Sequence, residues 1–262
     1  MTDGRCAERD AMCTLTIVAG EASSWRLVMN RDERRTRRPA SPPALREVAG
    51  SRVLAPRDGD AGGSWIVADQ SRRIWCVLNG DRVAPGWRES GDEPSRGELP
   101  FLLLAAGVMD GSDVAAELRR RLAGGQLRQR PFQLVLAERA DRLTRFVFDG
   151  AAITVERAAA PWIATSNGFD PVAVAQARRA QFEAWFVAGG AAGGLAAQLD
   201  LHRSHVGAPD DRALASFCLH RPLVATRSVT AVDVGADGVM MRHESGAPCD
   251  RTAACEVHLP CN

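Results

Sequence analysis

The sequence predicts an α+β protein in which antiparallel sheets and helices come from separate stretches of the chain. β-Rich runs occur in pairs joined by short polar or glycine-rich turns, a pattern typical of β-hairpins. Helical stretches form blocks between these hairpins rather than alternating with single strands, which favours a layered α+β architecture over a βαβ fold. A chain of 262 residues is long enough to bury a sizeable core.

The strands are predicted from β-branched, aromatic and other apolar runs that end at turn signals. In chain order they cover residues 13–19, 25–29, 65–68, 74–78, 132–137, 143–148, 153–157, 162–165, 223–234 and 238–242. Residues 20–24 form the first predicted hairpin turn. Residues 34–50 are rich in proline and arginine and are predicted to be a loop.

Helices are predicted over residues 99–109, 113–123 and 172–187. Ser112 is the predicted N-cap of the second helix, because a serine hydroxyl accepts hydrogen bonds from free N–H groups. The third helix follows Asp170 and Pro171, a cap followed by proline at the first helical position. Its apolar face is formed by Val174, Ala177, Phe182, Trp185 and Phe186.

These elements predict one domain over residues 13–245. Residues 1–12 are polar and aperiodic, so we expect a disordered leader or a wrongly assigned translation start. Residues 246–262 are predicted to be a loose C-terminal tail.

Composition narrows the class of function. The formal net charge of +1 gives no reason to expect a nucleic-acid or membrane-surface partner. No apolar run approaches the roughly 18 residues of a membrane span, and no secretory signal is recognisable. Seven cysteines, an odd number, argue against a disulfide framework. We therefore expect a cytoplasmic protein without nucleic-acid or membrane partners.

The asparagines are unusually informative in this chain. Lysine and tyrosine are absent, which indicates a GC-rich and thus bacterial genome, yet Asn30, Asn79, Asn167 and Asn262 remain. Under such codon pressure an asparagine persists where other residues cannot replace it. The first three are therefore candidates for specific roles.

The first hairpin carries the main chemical prediction. A turn near Ala22 sets Cys13 opposite Arg31, so Asn30, Arg31 and Asp32 are expected to surround the thiol. A guanidinium beside a thiol lowers its pKa. If translation starts at Met12 and methionine is removed, Cys13 gains a free α-amine, a base with a pKa of about 7.7–8.0. The alternative is that Cys13 is a small core residue of a buried strand.

A family resemblance rests on these residues. Met12-Cys13-Thr14, Asn30-Arg31-Asp32-Glu33 and Arg38-Pro39-Ala40 resemble motifs of the NRDE proteins, relatives of the transport and Golgi organisation protein 2. Shorter matches at residues 62–66, 77–79, 166–167 and 218–221 extend the resemblance over most of the chain from residue 12 to about residue 242.

The resemblance implies both a fold and an activity. The family is similar in arrangement to N-terminal-nucleophile hydrolases of the choloylglycine hydrolase and penicillin V acylase type. Those are αββα sandwiches, four layers in which two antiparallel sheets are flanked by helices, and they cleave non-peptide amides with an N-terminal cysteine. We therefore predict a hydrolase for the amide or thioester bond of a small acyl substrate.

The resemblance also implies roles for individual residues. Cys13 would be the nucleophile, Asp32 would bind its α-amine, and Arg31 would steady the thiolate or the substrate. Asn79 and Asn167 would donate to an oxyanion, or they only shape the turns at Asn79-Gly80 and Asn167-Gly168.

Arg227 would correspond to a second arginine that related hydrolases carry late in the chain. The alternative is a solvated arginine.

Two rival interpretations invoke bound groups. The first is a non-enzymatic haem- or lipid-handling protein that uses the same cleft. Cys218-Leu219-His220 resembles a haem-binding Cys-His pair, whereas a core strand with a histidine at its edge is the simpler interpretation of those residues. Cys249, Cys255, His258 and Cys261 suggest a metal site, whereas a mobile tail is the simpler interpretation. We therefore predict neither a cofactor nor a metal, and keep haem as the alternative partner.

Overall fold

The computed structural model describes residues 13–80, 82–166, 171–206 and 215–261, and within these it contains two antiparallel sheets and four α-helices. The strands are β1 Cys13–Ala19, β2 Trp25–Arg34, β3 Ser41–Val48, β4 Ser51–Arg57, β5 Ile66–Asp69, β6 Ile74–Asn79, β7 Phe132–Arg139, β8 Arg142–Phe148, β9 Ile153–Ala158, β10 Trp162–Ser166, β11 Val224–Gly235, β12 Gly238–Ser245 and β13 Ala254–Pro260. The helices are α1 Leu99–Ala105, α2 Gly111–Ala123, α3 Pro171–Val187 and α4 Gly194–His202.

Each sheet is assembled mainly from hairpins. The first sheet has the order β10-β1-β2-β11-β12-β13, and the second has the order β3-β4-β5-β6-β7-β8-β9. The first hairpin therefore lies inside its sheet, because β10 pairs with one side of β1 and β11 pairs with the far side of β2. This position buries the chain around Cys13 on both edges.

The two sheets stack on a shared apolar core, with Leu15 and Leu27 from the first sheet and Ile66 and Cys76 from the second. Burying one such side chain contributes about 1.5–3 kcal/mol. The outer face of the second sheet packs on α1 and α2, and the outer face of the first packs on α3 and α4. The predicted αββα sandwich is thereby confirmed.

The alternation of β1 explains how the first sheet holds both layers. Leu15 and Ile17 enter the core between the sheets, whereas Thr14 and Thr16 face the helices. Thr16 Oγ1 lies 2.7 Å from His202 Nε2, at the end of α4. Alternate residues of this strand therefore contact the core between the sheets and the helix layer on the outside.

The predicted loop over residues 34–50 is wrong, because β3 forms a hairpin with β4 there. Pro42 and Pro43 obscured this strand in the sequence. β3 is an edge strand, and its register shifts between Ser41 and Ala44. Prolines are tolerated at such an edge because the missing N–H donors are not needed by a second neighbour.

The predicted loose tail over residues 246–262 is also wrong. A 3-10 turn at Pro248–Asp250 leads into β13, which pairs with β12 along its whole length. β13 is one of the two edge strands of the first sheet.

The cap predicted for the second helix is displaced. The Asp110 carboxylate, not Ser112, caps α2, accepting from the backbone N–H of Ser112 at 2.6 Å and of Asp113 at 3.1 Å. No helix in the described part of the chain is both long and apolar enough to cross a membrane.

Candidate active site

A cavity of about 300 Å³ opens where the ends of the two sheets meet a loop before α1. Strands of both sheets line it, and so do residues 93–97, which together with Arg130 we call its rim. Its lining consists of Cys13, Arg31, Asp32, Glu33, Arg37, Asp58, Ala61, Gly63, Ser64, Trp65, Val77, Asn79, Glu93, Pro94, Ser95, Arg96, Gly97 and Arg130. Four of the six residues predicted to be catalytic therefore share one cavity: Cys13, Arg31, Asp32 and Asn79.

Cys13 begins β1 and lies between two neighbouring strands. It is paired with Arg31 on β2, as the sequence predicted, and with Ser166 on β10. Its backbone nitrogen donates to Ser166 Oγ at 3.1 Å, and its sulfur accepts from the backbone N–H of Asp32. Cys13 is thus held in the cavity wall, and its main-chain nitrogen lies beside the Ser166 hydroxyl.

The predicted lowering of the Cys13 pKa is wrong. Burial and then the negative charge of Asp32 raise the pKa of this thiol to about 12, and the charge of Arg31 opposes them only in part. This thiol is therefore protonated at neutral pH. Chemistry at this sulfur therefore requires a base close by.

Arg31 contributes little to thiolate formation because a carboxylate holds it. Its Nη2 donates to Asp58 Oδ2 at 2.5 Å, and its guanidinium lies over the Trp65 ring, 4.8 Å from the centroid. Burial opposes ionisation of Asp58, but hydrogen bonds from Arg37 and the Ala61 N–H lower its pKa to about 2. Asp58, which the sequence analysis missed, therefore stays charged and fixes Arg31.

Asp32 lies on the helix side of β2, fully buried. Its Oδ1 accepts from Thr226 Oγ1 at 2.5 Å. Its Oδ2 accepts no hydrogen bond within the described residues and lies 3.8 Å from the Arg178 guanidinium. Burial raises the pKa of Asp32 to about 6, although Arg178 and Thr226 act in the opposite direction.

Arg178 is a second residue that the sequence analysis missed. It is fully buried on α3 and donates to Thr14 Oγ1 and, at 2.7 Å, to the Ser216 carbonyl. A signal for it existed in the sequence. Arg178 lies four residues from both Val174 and Phe182, so it occupies the apolar face of the helix. A charge on such a face requires a buried partner, which here is Asp32.

The asparagines separate into different roles. Asn30 does not face Cys13: its Nδ2 donates to the carbonyls of His202 at 2.8 Å and Phe217 at 2.9 Å, which ties β2 to the end of α4. Asn79 ends β6 and lines the cavity. Asn167 lies outside the described residues, and its role stays a prediction.

Arg227 occupies a bulge rather than the cavity. The ladder between β2 and β11 shifts register between Thr226 and Ser228, so Arg227 is the extra residue and does not line the cavity. The bulge matters because Asp32 remains opposite Thr226 while Arg31 pairs with Ser228.

Arg96 gives the cavity a cationic rim. It lies in the 3-10 turn Arg96–Glu98, and its Nη1 donates to the Pro131 carbonyl at 3.1 Å. Burial and the charge of Arg130 lower the pKa of Arg96 to about 10, so it remains charged at neutral pH. Within the described ranges no carboxylate forms an ion pair with it, unlike Arg31, Arg37 and Arg130.

The metal interpretation of Cys249, Cys255, His258 and Cys261 is wrong. Cys255 and His258 are three residues apart on β13, so their side chains point to opposite faces of the sheet. Cys261 Sγ instead donates to the Ala236 carbonyl at 3.4 Å. Cys249 lies beside Cys218 and His220.

Comparison with known proteins agrees with this fold. The family model described as Transport and Golgi organisation 2 matches residues 12–186. No curated protein matches the chain in sequence. Among solved structures, penicillin V acylase from Agrobacterium tumefaciens superposes with a TM-score of 0.52 at 11% identity, covering 94% of this chain and 86% of the acylase.

A second similar structure is a mutant of conjugated bile acid hydrolase from Clostridium perfringens. It has a TM-score of 0.53 and 10% identity, and the match covers 94% of this chain and 92% of the hydrolase. At such low identity these likenesses establish the fold, and the chemistry has to be argued from the cavity.

Proposed function

The chain belongs to the Transport and Golgi organisation 2 family, and from that premise we propose that it is an N-terminal-cysteine hydrolase for the amide or thioester bond of a small acyl substrate. The observation that carries the proposal is the placement of Cys13. Its sulfur faces the cavity next to the N–H of Asp32, and its main-chain nitrogen lies beside Ser166 Oγ. The solved structures with this fold, a penicillin V acylase and a conjugated bile acid hydrolase, support a hydrolytic cavity.

The raised pKa of Cys13 defines what the mechanism needs. A neutral thiol must lose its proton as it attacks, and no histidine lines the cavity within the described residues. The α-amine of Cys13 is the base in reach once the Met12–Cys13 bond is cleaved, for example by methionine removal after a translation start at Met12. In this proposal Ser166 Oγ, which accepts from the Cys13 nitrogen, orients the resulting ammonium, and Asp32, whose charge acts on Cys13, stabilises it.

The reaction then follows in two balanced halves. The amine takes the thiol proton, the sulfur attacks the acyl carbonyl carbon, and the ammonium returns its proton to the leaving amine or thiol as the C–N or C–S bond breaks. Water, deprotonated by the same amine, next attacks the Cys13 thioester, releasing the acid and restoring the thiol. Asn79 is the candidate donor to the oxyanion formed in each half.

The charge of the rim indicates the substrate class. Arg31 and Arg37 form ion pairs with Asp58, whereas no carboxylate of the described residues lies within ion-pair distance of Arg96, although the charge of Glu33 acts on it. A desolvated cation attracts an anion strongly. We therefore assign Arg96 to binding a carboxylate or another anionic group of the substrate.

The test compares chains that begin at Cys13 with the full chain of 262 residues. Both are treated with an activated acyl ester and with a panel of N-acyl p-nitroanilides and acyl thioesters. We expect an acyl adduct on Cys13, found by intact mass and peptide mapping, and turnover only when Cys13 is the first residue.

Cys13→Ala should fold normally and lose both signals, whereas the matched control Cys255→Ala should retain both. Equal turnover by Cys13→Ala, or an adduct distributed over other cysteines, would refute the assignment.

A further inference from the structure

Four side chains that commonly bind metals converge outside the cavity. The donor atoms of His205, Cys218, His220 and Cys249 all lie within 4.8 Å of one another. His205 follows α4, Cys218 and His220 precede β11, and Cys249 lies in the 3-10 turn after β12. None of the four lines the cavity. The cluster is therefore separate from the lining of the cavity.

We propose that these four residues form a structural Cys2His2 site for a zinc ion. Zinc in structural sites takes four nitrogen and sulfur ligands in a tetrahedron. Zn–S bonds of about 2.3 Å and Zn–N bonds of about 2.0–2.1 Å give S···N edges of about 3.5 Å. His220 Nε2 lies 3.5 Å from Cys218 Sγ and 3.2 Å from Cys249 Sγ, close to those edges.

His205 supplies an independent indication of a ligand. Its Nε2 is buried and has no hydrogen-bond partner within the described residues, and its ring centroid lies 5.2 Å from that of His220. Buried polar atoms almost always have a partner. A metal at the centre of the cluster would satisfy this nitrogen, and two thiolates would neutralise its charge.

The backbone around the cluster is already fixed. The N–H of Cys218 donates to the Ser204 carbonyl at 3.0 Å, and His220 forms a β-bridge with Ala225. Cys218 and Cys249 are free thiols rather than a disulfide. The donors converge from three chain segments onto one point, which suits a single ion.

The site would also fix a chain segment that contacts a residue of the cavity. Leu219 lies between two of the ligands, and its N–H donates to Thr226 Oγ1 at 2.8 Å. Thr226 Oγ1 in turn donates to Asp32 Oδ1 at 2.5 Å. Zinc would therefore hold the segment that positions the partner of Asp32.

The test measures metal bound to the full chain, purified without a metal-affinity tag under reducing conditions. Elemental analysis should give one zinc per chain. After removal of the metal with a chelator, Co²⁺ should produce thiolate-to-cobalt charge transfer and the d–d absorption of a tetrahedral site, and Zn²⁺ should displace it.

Variants separate this site from other thiols. Cys249→Ser and His205→Ala should each weaken metal binding at least tenfold, with folding verified by circular dichroism. Cys255→Ser and Cys13→Ala should bind as the wild type does. If a variant fails to fold, the wild-type cobalt spectrum still decides the question.

Three results would overturn the proposal. They are an absence of stoichiometric metal and of a tetrahedral cobalt spectrum, a Cys218–Cys249 disulfide in the purified protein, and haem binding that depends on these residues without any binding of zinc.

Discussion

Asp32 is a carboxyl whose ionisation works against the fold. Burial raises its pKa from 3.8 to about 6. The folded chain thus holds this proton more tightly than the unfolded chain, and the carboxyl destabilises the fold once it is ionised. The contribution of Asp32 to the free energy of unfolding therefore falls as the pH rises from about 4 to above 6.

Asp32→Asn should consequently become relatively more stable at higher pH. The free energy of unfolding of the variant minus that of the wild type should increase by on the order of 2–3 kcal/mol between pH 4 and pH 8. Urea denaturation at both pH values measures this difference. Asp141→Asn, on an exposed turn, corrects for general effects of losing a carboxylate. A difference that stays constant or decreases would contradict the raised pKa.

Arg96 provides a residue-level test of substrate class. Arg96→Gln removes the charge, so KM for an acyl substrate with a carboxylate should increase about 10- to 100-fold, since hydrogen bonds to charged groups contribute about 1.5–3 kcal/mol. KM for the matching carboxamide should change little.

The control for this measurement is Arg128→Gln, whose exposed guanidinium pairs with Asp92 at 2.6 Å. Equal losses on both substrates would assign Arg96 to structure instead.

The residues predicted from the sequence are those that one hairpin brings together. The pairing of Cys13 with Arg31 follows from counting back from a turn. Ser166 and Arg178 approach from another strand and from a helix, and Asp58 from the segment after β4, so local spacing does not predict their contacts. The predicted shift of the Cys13 pKa has the wrong sign because desolvation, which depends on the whole fold, outweighs one neighbouring guanidinium.

At the scale of elements, α3 contributes a buried charge to the first sheet. Removing one partner of a buried ion pair leaves the other uncompensated. Arg178→Met should therefore lower the free energy of unfolding at pH 7 by about 3–5 kcal/mol. The neighbouring Arg179 is exposed, so Arg179→Met should have little effect.

A double-mutant cycle tests whether this cost comes from Asp32. Combining Arg178→Met with Asp32→Asn should recover part of the lost stability, because the unpaired carboxylate is then absent. Strictly additive effects measured by urea denaturation would show that Arg178 acts through contacts other than Asp32, such as those with Thr14 and the Ser216 carbonyl.

Of the four strands and helices that the sequence analysis missed, three have weak local patterns, and β4 is the fourth. β3 contains consecutive prolines at a sheet edge, and β13 alternates half-buried and exposed residues. α4 begins Gly-Leu-Ala-Ala, with small residues that give little amphipathic contrast. Their partners, rather than their own residues, determine that they form.

At the scale of the whole molecule, the family resemblance predicted the four layers, whereas pattern alone predicted only an α+β class. The proposed zinc site joins segments from residues 205 to 249, and a ligand that binds only the folded state stabilises it by mass action. With zinc at about 100 times its Kd, the full chain should gain about 2.7 kcal/mol relative to chelator.

Thermal unfolding with zinc or with chelator measures this gain as a higher Tm in zinc. Cys249→Ser, which binds zinc at least tenfold more weakly, should show a clearly smaller difference in Tm between the two conditions. A wild-type Tm that chelator does not change would contradict the expected stabilisation.

The cavity joins two walls of different construction, and this has an evolutionary consequence. The reacting groups Cys13, Arg31 and Asp32 lie on interior strands, and a shift of these strands would disturb the packing on both faces of the first sheet. Residues 93–97, in contrast, lie outside the sheets. Loops accept substitution far more readily than packed strands. Selection for new substrates can therefore act on the loop while the reacting groups stay in place, so a laboratory library aimed at new acyl specificities belongs at residues 93–96.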